Sequence, residues 1–291
     1  MKSGADESGV PGVFRRRIGD IVVTAISDGY IDGTLELLRN VDLELARQVL
    51  VDSFRPVRRI DVNTFLITSE GRTALIDTGA GGYRSTTGRL NAHLAAVGVD
   101  PRSIDTVLLS HLHPDHSAGL SNTAAEAVFP NAELLMHERE PTYWLDDAAM
   151  ARAGEHERKA FFLDQRELIA PYRNRTRLFT SGEVFPGVTA IPAFGHTPGH
   201  VAFLVASGPD QLMIWGDVVH LPEVQTAYPG AGVGFDVDLA QAADTRRRIF
   251  DQVAADRILI AGMHLHFPGF SHLSRRGDGY QLHPESWLQA V

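Results

Sequence analysis

Directly behind the apolar stretch Thr106–Leu109 the chain runs Ser110-His111-Leu112-His113-Pro114-Asp115-His116, which places four metal-competent side chains within six residues. On an extended segment, residues two apart point the same way, so His111 and His113 can grip one ion. Pro114 favours a bend that re-aims Asp115 and His116, and these two can serve a second ion beside the first. The buried strand before the cluster and the small residues Ser117-Ala118-Gly119 after it set it apart from a surface His-rich turn. Such a loop needs a fold in which other strand ends converge on the same edge.

The rest of the chain supplies those ends. Gly195-His196-Thr197-Pro198-Gly199-His200 follows the apolar run Val188–Pro192, and its glycines let the backbone approach closely. Here His196 is the candidate ligand, and His200 a supporting or strand-start residue. Asp217 follows Leu212–Trp215 and Gly216; a carboxylate has two oxygens and can bridge two cations, which a neutral imidazole cannot. His264 lies just beyond Arg257–Ala261, with His266 two residues on as a rival. Asp77 closes the run Thr73–Ile76 in Asp77-Thr78-Gly79. Strands with chemistry at their ends, alternating with helical stretches, predict an α/β fold of two mixed sheets covered by helices on their outer faces.

Composition narrows the chemistry. With no cysteine, disulfides, thiol catalysis and any thiolate metal site are excluded. The net charge of -9 and the lack of long basic runs argue against nucleic acid as a partner; Arg15-Arg16-Arg17 reads as a solvated edge. No apolar stretch reaches the roughly 20 residues that span a bilayer. Residues 1–11 read as a disordered lead without the apolar core of a signal peptide, and 12–291 as one domain of a cytoplasmic protein. Predicted strands cover Ile18–Ile26, Val62–Thr68, Thr73–Ile76, Thr106–Leu109, Glu133–Met136, Val188–Pro192, Val201–Val205, Leu212–Trp215 and Arg257–Ala261. Predicted helices cover Leu35–Val51, Arg84–Val97, most of Pro141–Tyr172, and Leu239–Ala254. The glycine-rich Ala227–Phe235 reads as an irregular, mobile wall of the cleft.

These motifs, in this order from Ile18 to about Leu282, resemble the metallo-β-lactamase superfamily. The resemblance implies a four-layer αββα sandwich of two mixed sheets flanked by helices. It also implies a dinuclear centre with His111, His113 and His196 on one ion, Asp115, His116 and His264 on the other, and Asp217 between them. Asp77 then orients the metal loop from behind, and Asp115 and Asp217 serve catalysis. The stretches Gly19-Asp20 to Ser27-Asp28-Gly29, Val62-Asn63-Thr64 to Ala80, and His264-Leu265-His266-Phe267-Pro268-Gly269 resemble the methyl parathion hydrolase-like branch, which includes lactonases and arylesterases. In that branch the first histidine of the last motif is the ligand, which selects His264 over His266. A nitrogen and oxygen donor set suits two divalent ions, zinc first and manganese, iron or cobalt as alternatives. The expected reaction is attack of a metal-bridging hydroxide on a lactone or aryl ester; the alternative is a phosphotriester at the same site, and a non-catalytic metal-binding protein is a third, weaker possibility. Trp144, Phe161, Phe162, His220 and His266 are the expected pocket residues. The branch also implies a homodimer, with the segment through Arg17 as an interface element.

Overall fold

Alternation along each strand decides which layer its side chains enter. In Arg72–Ile76, Ala74 and Ile76 face one way and Leu75 the other; all three are buried. Burial on both faces means that the sheet is covered on both sides. In the computed structural model, which describes residues 12–55 and 58–286, two seven-stranded sheets pack face to face with helices outside. The first has the order Val13–Ile18, Ile21–Gly33, Arg58–Ser69, Arg72–Ile76, Thr106–Leu108, Glu133–His137, Thr176–Phe179. Its first four strands are antiparallel and the rest parallel. The second has the order Gly279–Pro284, Phe270–Arg276, Leu259–Ala261, Asp210–Ile214, Val201–Ser207, Val188–Pro192, Gly182–Phe185; its one parallel pair joins Asp210–Ile214 to Leu259–Ala261.

The inner core fuses the sheets: Val23, Phe65, Ile67, Ile76 and Leu108 from the first meet Phe203, Val205, Leu212, Ile214 and Phe270 from the second. On the outer face of the first sheet, Leu66, Leu75, Val107 and Leu134 pack with Leu90, Leu94, Trp144, Phe162 and Tyr172. On the outer face of the second, Met213 and Ile260 pack against the helix Leu239–Ala255. That helix buries Ala242, Ala243, Arg246, Ile249, Phe250 and Val253, one stripe at helical spacing, and Asp238 caps it by accepting from the Gln241 amide. The four-layer arrangement is therefore the one that the sequence implies.

Local departures have local causes. The expected strand Ile18–Ile26 is the corner of a hairpin: Gly19, at φ 54°, and Asp20 turn the chain so that Ile18 pairs with Ile21. The second hairpin strand runs on to Gly33 through a bulge at Ser27–Gly29, where a turn was expected. Leu35–Val51 is helical only over Leu43–Asp52, preceded by a 3-10 turn and a short strand. Arg84–Val97 is helical only over Leu90–Ala96. Pro141–Tyr172 is a chain of short helical pieces rather than one helix, interrupted near Gly154 and tightened to 3-10 at Ala170–Arg175 beside Pro171. Ala227–Phe235 is largely irregular as expected, but Gly232–Val233 pairs with Leu38–Arg39, and Ala231 and Val233 are buried. The expected disordered lead, 1–11, lies outside the described residues. No helix among the described residues is long and apolar enough to cross a membrane.

Candidate metal centre

Asp77 is where the first sheet begins to build the site. It ends its strand in the left-handed region (φ 59°), a costly conformation for a residue with a side chain, and this aims its carboxylate at the next loop. One oxygen accepts from the Ser110 amide at 2.7 Å; the other accepts from Ser110 Oγ and from His116 Nδ1, each at 2.7 Å. Both ends of the histidine loop are thus tied to one side chain. The Thr78 amide and hydroxyl add bonds to the His116 carbonyl. Within the loop, His113 is extended and Pro114 opens the single helical turn Pro114–Ser117, which turns Asp115 and His116 back toward His111.

The second sheet contributes three separate residues. His196 donates from Nδ1 to Asp236 at 2.8 Å, and its Nε2 lies 2.9 Å from His113 Nδ1. Asp217 is set by its backbone: Gly216, at φ 59°, leaves room for His200, whose Nε2 accepts from the Asp217 amide at 2.9 Å while its Nδ1 bonds the Ala193 carbonyl. His200 is therefore a support rather than a ligand; burial and the nearby His196 lower its pKa to about 3 and keep it neutral. His264 donates from Nδ1 to the Asp61 carbonyl at 2.7 Å, which turns Nε2 inward. Its loop is held by Asn63, which donates to the Gly262 and Leu265 carbonyls.

The structure brings all seven expected ligands together. His111, His113 and His196 offer ligand atoms within 4.8 Å of one another, and so do Asp115, His116 and His264. Asp217 divides its oxygens between the two groups. Oδ1 lies 3.1 Å from His116 Nε2 and 3.3 Å from His264 Nε2; Oδ2 lies 3.3 Å from His196 Nε2 and 3.7 Å from His111 Nε2. The Nε2 atoms of His111, His116 and His264, and Asp217 Oδ1, are buried without a partner in hydrogen-bonding geometry among the described residues. Buried polar atoms are seldom left so, and convergent lone pairs are what divalent cations require, so the donor set fits two such ions. The charges are strained in keeping with this. Burial, with added repulsion from neighbouring imidazoles, holds His111 and His113 well below the ordinary histidine pKa. Burial also disfavours the Asp217 charge, but His116, His264, His220 and His111 outweigh it and hold that carboxyl well below its usual range.

The expected pocket residues divide. Phe161 lies at the centre, its ring 4.6 Å from that of His113. His220 is buried, with Nε2 2.9 Å from Asp217 Oδ2. Trp144 and Phe162 are fully buried and pack on each other in the outer core, so they have no surface for a substrate; Trp144 backs His113 from behind. His266 is bonded to Glu223 at 2.5 Å and lines a separate groove of about 750 Å³ that contains none of the seven ligand candidates. Three residues, Glu140, Asp28 and Asp236, are not singled out as site residues in the sequence, while Phe235 closes the segment expected to wall the cleft. Glu140 accepts from the Leu112 amide, Trp144 Nε1, Thr197 Oγ1 and the Gly199 amide, joining the loops of the two sheets. Asp28 accepts from the amides of Ala80, Gly88 and Leu90 and shapes the turn after Asp77. Asp236 holds His196, and the Phe235 ring sits 5.8 Å from His196 and 5.2 Å from His220.

Residues 57–283 match the model of the metallo-beta-lactamase superfamily. The chain belongs to that superfamily. Among solved structures, that of AbOPH, described as a hydrolase in the beta lactamase superfamily, is 29% identical, covers 97% of this chain and 100% of its own, and superposes with a TM-score of 0.91. AidC, a dizinc quorum-quenching lactonase solved with its product, is 24% identical over 96% of this chain and 99% of its own, at a TM-score of 0.89; this likeness is one of fold. An N-acyl homoserine lactonase of Bacillus sp. is 30% identical over 157 residues, 53% of this chain, and the match spans only about half of that lactonase, 53%. The metallo-beta-lactamase fold and a His/Asp cluster able to bind metals together make this chain a hydrolase of the superfamily.

Proposed function

We propose that this hydrolase opens lactones or activated esters at a centre of two divalent ions, with zinc as the first candidate. The observation that carries the reading is the division of the Asp217 oxygens between two histidine groups, which suits a bridging ligand. The 30% identity to a Bacillus homoserine lactonase favours the lactone; the resemblance of the sequence motifs to the methyl parathion hydrolase-like branch keeps phosphotriesters as a second substrate class. His111, His113 and His196 would hold one ion, Asp115, His116 and His264 the other, and Asp217 both. When bound, such ions supply Lewis acidity and make water nucleophilic near neutral pH.

The chain's own residues do the rest. Asp77, Asp236 and the Asp61 carbonyl each accept a hydrogen bond from the Nδ1–H of one histidine, which fixes the tautomer and leaves the Nε2 lone pair of His116, His196 and His264 free to ligate. Asp115, whose side chain is 19% exposed while the rest of the cluster is sealed, is the carboxylate open to the substrate. It accepts a proton as water adds to the carbonyl carbon and returns one to the alkoxide as the acyl C–O bond breaks. Phe161 and Phe235 give an aromatic wall beside His113 and His196. The test is a side-by-side assay of metal-loaded protein on N-acyl homoserine lactones, aryl acetates and paraoxon. Lactone turnover well above that of paraoxon supports the reading; paraoxon hydrolysis alone would reverse it. Homodimerisation, also proposed from the branch, is tested by sizing the protein with and without the segment before Ile18.

A further inference from the structure

Glu140 sits in the short helix Arg139–Trp144, is fully buried, and divides its carboxylate between two loops. Oε2 accepts from the Leu112 amide at 2.7 Å and from Trp144 Nε1 at 3.0 Å. Oε1 accepts from Thr197 Oγ1 at 2.6 Å and from the Gly199 amide at 2.8 Å. Leu112 lies between His111 and His113, and Thr197 follows His196. Both loops therefore bring histidines to the same group, His111, His113 and His196. The indole that Oε2 holds packs behind the His113 ring, 5.4 Å away. The contact is built from the other side as well. A Cβ on Gly199 would lie 2.8 Å from the Glu140 amide nitrogen and 2.9 Å from its Cγ and Oε1, although the backbone of Gly199 is not left-handed. The close approach of Glu140, not a torsion angle, requires glycine there.

The group Asp115, His116 and His264 has other supports. Asp77 holds His116, the Asp61 carbonyl holds His264, and Asn63 holds the loop of His264. Among the described residues, no side-chain bond of Glu140 reaches any of these. Asp77 serves both groups, because Ser110 Oγ, which donates to it, also lies 3.0 Å from His111 Nδ1. Glu140 serves one. Its four contacts are all donors, and an ionised carboxylate meets them with lone pairs alone. Ligands must be held to within about 0.5 Å to work together on one ion. From this carboxylate shared between two loops, and resting on the two-ion reading above, we propose that Glu140 is a positioning residue for one ion alone. It sets the spacing of His111 and His113 against His196, and leaves the Asp115, His116 and His264 group to Asp77 and Asp61. Without it the centre keeps one tightly held ion.

The test titrates zinc onto the stripped full chain in competition with a chelator. Glu140→Gln can keep one pair of donors but must turn its NH2 toward the other, so the two loops lose their common anchor. It should weaken one of the two ions by about tenfold to a hundredfold and leave the other within about threefold. Two backgrounds identify which ion is weakened. In His264→Ala, which spares the His111 group, adding Glu140→Gln should weaken the remaining ion by the same factor. In His196→Ala, which spares the His264 group, it should change nothing. Gly199→Ala keeps every polar group but pushes Glu140 away; it should repeat the pattern, and it decides the matter where Glu140→Gln does not fold. Weakening that is equal in both backgrounds, confined to His196→Ala, or absent from both overturns the proposal. If wild type takes up fewer than two ions, the two-ion reading fails, and Glu140 is judged on metal-free protein by amide hydrogen exchange. Exchange at Leu112 or Gly199 at least about tenfold faster in Glu140→Gln, with Ser110 unchanged, supports the positioning role; a rise at all three, or at none, rejects it.

Discussion

The two sheets supply the centre in opposite ways. The first gives four side chains from one loop, His111 to His116, whose ends are both bonded to Asp77. The second gives His196, Asp217 and His264 one at a time, each beyond a different strand and each held by a different partner: Asp236, His200 and the Asp61 carbonyl. The first half is organised by local sequence, the second by sheet register. Asp210–Ile214 pairs in parallel with Leu259–Ala261, Ile214 beside Ala261, and this register brings Asp217 and His264 to one edge. A contiguous loop should tolerate small shifts between the sheets, whereas a dispersed set should not.

The comparison breaks most completely at Asp217, the residue that faces both groups. We expect Asp217→Asn to lower activity by at least about a thousandfold and to leave fewer than two bound ions, as read by metal analysis of the purified variant. Next comes the last histidine motif. His264→Ala should lose one ion and cut turnover by orders of magnitude, while His266→Ala should keep both ions, because His266 lines another groove. Loss of an ion from the His266 variant alone would exchange the two roles.

Smaller effects measure how each half is supported. Asp77→Asn can keep the bond from the Ser110 amide but replaces the oxygen that accepts from Ser110 Oγ and His116 Nδ1 with a donor, and should weaken metal affinity by about a hundredfold; Asp236→Asn touches one imidazole and should cost about tenfold. Competition titrations with a chelator of known affinity would show the order, and equal losses would remove the distinction drawn between the halves. Glu140 spans them. Burial raises the pKa of its carboxyl, yet four donors surround it, so Glu140→Gln should lower stability by about 2–3 kcal/mol and loosen both loops together. The smallest effect is expected for Trp144→Phe, which loses one bond to Glu140; a stability loss of about 1 kcal/mol with KM unchanged is what full burial of the indole implies.

What was legible in the sequence follows the same divide. His111 to His116 are visible because they are contiguous, and His196, Asp217 and His264 because each closes an apolar run. Their supports are invisible for a physical reason. Glu140 lies 28 residues from Leu112 and 57 from Thr197, Asp236 lies 40 from His196, and an acidic residue at such distances looks like any of the chain's 36. Nor could composition tell Trp144 and Phe162, which close the outer core, from Phe161, which reaches His113; the short helical turns between Arg139 and Ile169 decide that. The hairpin at Gly19-Asp20 was hidden because Arg15, Arg16 and Arg17 break the apolar pattern of its first strand and only two residues separate the strands.

The most direct test of a two-ion hydrolase is to strip the protein with a chelator and then titrate zinc back while following both bound metal and hydrolysis of N-acyl homoserine lactone. The stripped protein should remain folded, with a lower melting temperature and no turnover, and activity should return as two equivalents per chain are taken up. Undiminished lactone hydrolysis by metal-free protein, or full activity with Asp217→Asn, would contradict the centre described for this chain.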